Sequence, residues 1–285
     1  MKILTFDIED WFHLLDNKAT QSVDSWNNYS SRLNGGVERI LDLLETTNQK
    51  ATFFILGWVA EKYPKVIKKI DSYGHEIASH SYAHQLVYKQ SKKEFKDDLY
   101  KSKVILEDLI AKSVVAYRAP GFSITSKEYW AFETLVEMGF EIDCSVFPAN
   151  RAHGGMPNFK SVSPCMTEDF GKPLKFFPIN TQTIFGKSFI YSGGGYFRLF
   201  PKFLLRHWFA KDDYVMTYFH PRDFDPDQPI VPGLTKVRKF KSYVGLGTAL
   251  NKLRTIILEN DFMSLSQADS LIDWNNVNKV KFNQV

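Results

Sequence analysis

Gly74-His75-Glu76-Ile77-Ala78-Ser79-His80-Ser81-Tyr82-Ala83-His84 is the stretch on which the reading of this chain turns, because a strand-like run ends in two histidines four residues apart. The acidic stretch Phe6-Asp7-Ile8-Glu9-Asp10-Trp11 closes another strand-like run near the N-terminus. Imidazole nitrogens joined by one carboxylate, with positions left for water, make a catalytic zinc-type centre, whereas structural sites are usually closed by thiolates. Cys144 and Cys165 are the only cysteines, too few and too far apart for a thiolate site or a disulfide framework.

Outward from these two stretches, short apolar or β-branched runs alternate with longer amphipathic ones, the rhythm of repeated βα units. Strands are predicted at Lys2–Asp7, Ala51–Leu56, His75–Ser79, Val114–Arg118, Glu141–Ser145, Leu174–Ile179, Tyr214–His220 and Phe262–Leu265. Helices are predicted at Gly36–Thr47, Val59–Tyr73, Lys93–Lys112, Ser126–Met138, Phe197–Ala210 and Val244–Glu259, with Thr125 and Glu128 reading as a capping box and Gly139 as a left-handed stop. Ala149–Pro173 and Ile190–Gly195 read as loops. This pattern predicts an α/β fold, and 285 residues are within the range of one α/β barrel or two small domains. In a parallel barrel the chemistry gathers at the C-terminal ends of the strands. Asp7, Glu9, His80, His84, Arg118, Asp143 and His220 all fall at or near such ends, whereas core packing alone would scatter them.

Composition narrows the function. With 285 residues, 44% hydrophobic and 24% charged, the chain can bury a full core. Its net charge of +4, with basic and acidic residues interleaved, demands no nucleic-acid partner. No run approaches the roughly 20 apolar residues of a membrane span. Met1 leads directly into a short apolar run followed by acids, unlike a signal peptide, so a cytoplasmic location with reduced thiols is expected.

Four segments together resemble the polysaccharide deacetylase family, also called the NodB-homology or carbohydrate esterase family 4 group: Thr5-Phe6-Asp7, His80-Ser81-Tyr82-Ala83-His84, Arg118-Ala119-Pro120-Gly121 and Tyr218-Phe219-His220. Ala51–Gly57 and Gly74–Ala78 look like the same family's scaffold, and Ser192–Arg198 with His220–Pro229 resembles the branch found in exopolysaccharide and surface-glycan gene sets. The resemblance implies a single distorted (β/α) barrel of the NodB type over residues 1–285, which removes the N-acetyl group of an amino sugar with one divalent ion, most often Zn2+. It implies that His80 and His84 hold the ion, that Asp7 is the general base kept ionised by Arg118, that His220 is the general acid, and that the Gly121 N–H is a candidate oxyanion donor.

The first motif departs from the family's two adjacent aspartates and reads Asp7-Ile8-Glu9-Asp10, so Glu9 or Asp10 must supply the metal carboxylate. Strand alternation keeps Asp7 and Glu9 on one face and favours Glu9, while Asp10 fits if the chain turns after Glu9. The aspartate that tunes the acid histidine has no clean counterpart, and Asp143 is the nearest. His75, inside a strand, reads as structural; His13, His153 and His207 read as surface or loop residues, with His13 near the first motif. The basic, aromatic run Tyr196–His207 can touch a lipid-linked substrate or a membrane surface, although packing of its Phe and Leu on the barrel is the preferred reading. Other readings are a deformylase or allantoinase-like C–N hydrolase on the same fold and a non-catalytic glycan-binding barrel.

Overall fold

The computed structural model describes residues 1–282 except 16, 152, 185 and 186. In chain order its strands are β1 (Lys2–Ile3), β2 (Thr5–Ile8), β3 (Thr52–Ile55), β4 (Glu76–Ser79), β5 (Ala116–Tyr117), β6 (Ile142–Asp143), β7 (Cys165–Thr167), β8 (Leu174–Phe176), β9 (Gln182–Ile184), β10 (Lys187–Phe189), β11 (Val215–Met216) and β12 (Asn278–Lys279). The helices are α1 (Val23–Trp26), α2 (Leu33–Thr46), α3 (Gly57–Lys62), α4 (Pro64–Ser72), α5 (Lys92–Ile110), α6 (Trp130–Glu137), α7 (Gly194–Leu199), α8 (Lys202–Lys211), α9 (Lys236–Tyr243), α10 (Leu246–Leu258) and α11 (Leu265–Leu271). Among the described residues no helix is long and apolar enough to cross a membrane.

Strands β2, β3, β4, β5, β6 and β8 lie side by side and parallel, and β7 and β12 extend the same sheet past β8, parallel to each other and opposite in direction to the other six. Every residue of β2 and β3 is buried, as a parallel sheet covered on both faces requires. Register sorts their side chains: Phe54, Ala78, Ala116 and Ile142 share one apolar cluster with Phe177 and Met216 inside the curl, while Phe6, Phe53, Ile55 and Ile77 pack outward among the helices. Asp7 pairs in register with Phe54, so it belongs to the inward set.

On the other side of β2 the curl continues through β1, paired with β11, and through Phe6, bridged to Phe219. Between β8 and β11 the ladder gives way to single contacts: Asn180 Oδ1 accepts the Met216 N–H at 3.1 Å and Ser192 O accepts the Tyr218 N–H at 3.2 Å. Gly193 bridges Tyr218 there, and a Cβ at Gly193 would stand 2.0 Å from the Tyr218 carbonyl oxygen, so a glycine is needed for this closure. The fold is therefore α/β, with a distorted barrel at its centre.

Five of the expected elements are corrected. The helices predicted through Val59–Tyr73 and Phe197–Ala210 are each broken, at Pro64 and at Pro201, where the ring removes an amide donor and a new helix begins. Phe262–Leu265 is not a strand: Met263 makes one bridge to Ile3, and Ser264 then caps α11 through a reciprocal pair with Gln267. The segment Ala149–Pro173 contains strand β7 in addition to loop. Thr125 does bond Glu128, but the helix starts five residues past Thr125, at Trp130.

Candidate active site

Strand β2 ends at Ile8, and the Glu9 N–H folds back onto the Asp7 carbonyl at 3.0 Å. This tight turn keeps both carboxylates at the mouth. The next residue leaves it. Asp10 accepts hydrogen bonds from the Trp11 N–H at 2.9 Å, the Arg32 N–H at 3.2 Å and the Ser31 hydroxyl, so its carboxylate caps the entry to α2 and lies outside the histidine cluster.

Glu9 Oε1 sits 3.0 Å from His80 Nε2 and 2.9 Å from His84 Nε2, and all three residues are buried. These three donor atoms lie within 4.8 Å of one another, a ligand-like grouping among the described residues. His80 donates its Nδ1–H to the Arg118 carbonyl at 2.7 Å, which leaves the Nε2 lone pair facing the cluster. Despite burial, which opposes ionisation, the neighbouring His84, His220 and His80 hold the Glu9 carboxyl well below its usual range. Two imidazoles and one carboxylate in a buried cluster, with one tautomer locked, fit a divalent ion of the zinc type.

The loop that carries the histidines is clamped from two helices. The N–H groups of Gly57 and Trp58, which no intrahelical acceptor can satisfy at the start of α3, donate to Ser81 O at 2.8 Å and Tyr82 O at 3.1 Å. From α5, Asp98 accepts the Tyr82 N–H at 2.8 Å and the Ala83 N–H at 2.9 Å. The clamp holds Ser81 and His84 at φ of 71° and 52°, left-handed values that non-glycine residues adopt only under such constraint.

Facing the cluster, Arg118 is wholly buried and donates from Nη1 to Asp7 Oδ1 at 2.7 Å and to Thr5 Oγ1 at 2.8 Å, with its guanidinium 4.1 Å over the Phe54 ring. His220 Nε2 lies 3.9 Å from Asp7 Oδ2 and 3.8 Å from Glu9 Oε1. Asp7, Glu9, His80, His84, Arg118 and His220, which come from separate strand ends, thus lie around one point.

Sequence reasoning missed the partner of His220. Asp223 Oδ2 accepts both the His220 N–H at 2.9 Å and its Nδ1–H at 3.0 Å, and Asp223 Oδ1 lies 3.2 Å from Arg198 Nε. Burial lowers the His220 pKa, but Glu9, Asp223 and Asp7 outweigh it and raise it to about 9. Asp223 is held at about 2, against its own burial, by Arg198 and His220. The signal was present in His220-Pro221-Arg222-Asp223, a reciprocal cap with proline at its first position.

Asp143 instead accepts the Ser145 N–H at 2.9 Å and hydroxyl at 2.6 Å, and the Ser145 hydroxyl oxygen accepts the Ala119 N–H at 2.8 Å. Burial pushes the Asp143 carboxyl up to about 7. It therefore braces the backbone beside Arg118 and does not contact His220. Gly121 has φ of 62°, and a Cβ there would meet Leu15 Cδ1 at 2.7 Å and His153 Cβ at 3.1 Å, so loop packing accounts for the absence of a side chain. His13 is buried, contrary to expectation: its Nδ1 accepts the Asp10 N–H at 3.0 Å, its ring stands 6.3 Å from that of His84, and burial drives its pKa well down. His75 packs 5.2 Å from the Phe53 ring, outside the cluster.

Residues 4–139 match the family model described as Polysaccharide deacetylase, and residues 144–270 match one described as Domain of unknown function (DUF3473). A peptidoglycan-N-acetylglucosamine deacetylase from Bacillus cereus is 38% identical over 96 residues, 33% of this chain and 35% of the relative. A peptidoglycan deacetylase from Helicobacter pylori is 31% identical over 116 residues, 39% of this chain and 37% of the relative. The matches thus span well under half the length of these relatives. Among solved structures, a candidate polysaccharide deacetylase from Mycobacterium smegmatis superposes with a TM-score of 0.66 at 17% identity, covering 98% of this chain and 92% of the other. A carbohydrate esterase family 4 pseudoenzyme from Bacillus anthracis gives 0.51 at 12% identity, covering 93% of this chain and 64% of the other. At these identities the superpositions establish the fold, which is that of the NodB-type barrel. The motif-bearing strands, their arrangement around Asp7, and the match over residues 4–139 make this segment one of the polysaccharide deacetylase type.

Proposed function

We propose that the protein removes the N-acetyl group from an amino sugar in a glycan, using one divalent ion, Zn2+ by its donor set. The observation that carries the reading is the convergence of Asp7, its Arg118 partner and His220 on the Glu9–His80–His84 cluster. The relatives described as N-acetylglucosamine deacetylases support the substrate class.

Glu9, His80 and His84 would hold the ion, which supplies polarisation of the acyl carbonyl and an acidified water when bound. Arg118 fixes Asp7 Oδ1, which leaves Oδ2 to take the proton of the attacking water. His220, oriented through Nδ1 by Asp223, presents Nε2–H to the amide nitrogen and protonates it as the C–N bond breaks. Water and amide are thereby converted to carboxylate and amine. The Gly121 N–H is retained as the proposed oxyanion donor on its place beside Arg118 and Pro120.

The proposal treats both matched segments as one unit, supported by a single sheet that runs from β2 through β8. It places the enzyme in the cytoplasm, near a membrane-associated, lipid-linked glycan; two buried, unpaired thiols support a reducing compartment. The test is metal analysis together with acid release from N-acetylated and N-formylated glucosamine oligomers. Acetate release that disappears with the ion and returns with Zn2+ is expected. Preferential formate release would transfer the reading to a deformylase, and metal binding without hydrolysis to a glycan-binding barrel.

A further inference from the structure

Helices α7 to α10 carry ten lysines and arginines and no aspartate or glutamate. The whole chain has 36 basic and 32 acidic residues, so the rest of it holds 26 against 32 and is net acidic. The positive charge is therefore concentrated on one group of helices, which pack on one another through α7 against α9 and α10, and α8 against α10. This group also exposes large apolar side chains: Tyr196 is 51% exposed, Leu199 50%, Phe203 68%, Val237 65% and Phe240 58%. Helix α9 has no buried residue, and its exposed Val237 and Phe240 are flanked by exposed Lys236, Lys239 and Lys241. Tyr196–His207 was expected to pack its apolar residues on the barrel. Phe197, Leu205, Trp208 and Phe209 do so, whereas Tyr196, Leu199 and Phe203 do not.

We propose that this face docks on an anionic phospholipid surface. Cations supply the long-range attraction to negative headgroups, and exposed aliphatic and aromatic side chains gain by entering the headgroup–acyl boundary. A purely anionic glycan would be served by the cations alone, and the exposed apolar side chains favour the bilayer. The face adjoins the mouth: Arg198 of α7 donates to Lys241 O at 3.1 Å and Ser242 O at 2.8 Å at the end of α9, and also reaches Asp223, the partner of His220. Docking would therefore bring the mouth close to glycans attached to the same surface. Arg206 contributes less, because it is paired with Glu259 at 2.6 Å.

Sedimentation of the full chain with phosphatidylcholine vesicles, with and without phosphatidylglycerol, tests the proposal independently of any catalytic reading. Binding is expected only to the anionic vesicles and should weaken with salt. Phe203→Ser and Phe240→Ser should each reduce partitioning about tenfold or more. Lys236→Gln, Lys239→Gln and Lys241→Gln should each reduce it about fivefold. All five positions are exposed, so circular dichroism should show unchanged folding, and hydrolysis of a soluble substrate should persist. Equal partitioning to neutral vesicles, or serine variants that bind anionic vesicles like the parent, would overturn the proposal. So would retention on a soluble polyuronate without vesicle binding, which would indicate an anionic glycan.

Discussion

Replacing Asp223 with asparagine tests how His220, the proposed general acid, is poised. The substitution keeps the size of the side chain and removes its charge, leaving a neutral amide oxygen in place of Oδ2, which now accepts both His220 donors at 2.9 and 3.0 Å. A hydrogen bond to a charged group contributes about 1.5–3 kcal/mol and a neutral one about 0.5–1.5. The loss of about 1–2 kcal/mol corresponds to a fall of roughly one unit in the His220 pKa at 1.36 kcal/mol per unit. In the parent that pKa is raised to about 9, with Glu9, Asp223 and Asp7 as the raising groups. An ion on Glu9 offsets that residue's charge, so the limb of the loaded enzyme starts lower, but the displacement due to Asp223 remains. In the proposed role His220 acts protonated, so the basic limb of the kcat/KM profile should move to lower pH by about one unit. Acetate release from N-acetylglucosamine oligomers, followed across pH with metal content measured in parallel, provides the readout. A basic limb that stays in place while the rate falls would refute the role of Asp223. The same charge has a stability signature: a carboxyl depressed to about 2 stabilises the fold above its unfolded pKa of about 3.9, and this contribution fades as pH falls toward 2. The variant should therefore lose part of the parent's acid-dependent change in melting temperature.

Glu9→Ala should weaken metal affinity at least about tenfold, or about 1.4 kcal/mol, in a metal titration. Asp10→Ala should leave affinity nearly unchanged and lower thermal stability by about 1 kcal/mol, as for a lost cap; the reverse pattern would exchange their roles. Arg118→Ala should destabilise the fold by about 3–5 kcal/mol in thermal or denaturant unfolding, since it strands a buried carboxylate. An unchanged rate in a variant that still folds would separate Arg118 from the base. Gly36→Ala places a methyl 2.8 Å from Pro221 Cβ, so α2 or the turn after His220 must yield. A stability loss of about 1–3 kcal/mol with a fall in kcat is expected, and unchanged kcat would show that the turn absorbs the strain without moving His220.

The runs that became β2, β3 and β4 were legible because each is short and bounded, with β2 running into Glu9, β3 into Gly57 one residue on and β4 into His80, and Asp7, His80 and His84 were legible with them. β5, β6 and β11 were legible too, inside Val114–Arg118, Glu141–Ser145 and Tyr214–His220, but each is two residues long, and only its neighbours in the sheet set where it ends. β7 and β12 pair with one another across more than 100 residues, a contact that no local pattern encodes. Phe262–Leu265 misled because its apolar content outweighed the Ser264/Gln267 cap written into it. Asp223 escaped because the search for a tuning aspartate went to a distant strand end, whereas the turn after His220 carried it three residues on. His13 was read as a loop residue, which it is, but the aromatic wall of Phe12, Trp26 and Trp58 that buries it exists only in the folded chain.

Arg118 serves the two halves of the site by different parts of its structure: the guanidinium holds Asp7, and the main-chain carbonyl holds His80. The genetic code can alter the first and cannot erase the second, since every amino acid carries a carbonyl. Variation at this position can retune the proton-handling half while the histidine's tether is inherited intact. An inactive descendant that lost the arginine could therefore keep a competent ion-binding pocket, and a single reversion could restore the missing half.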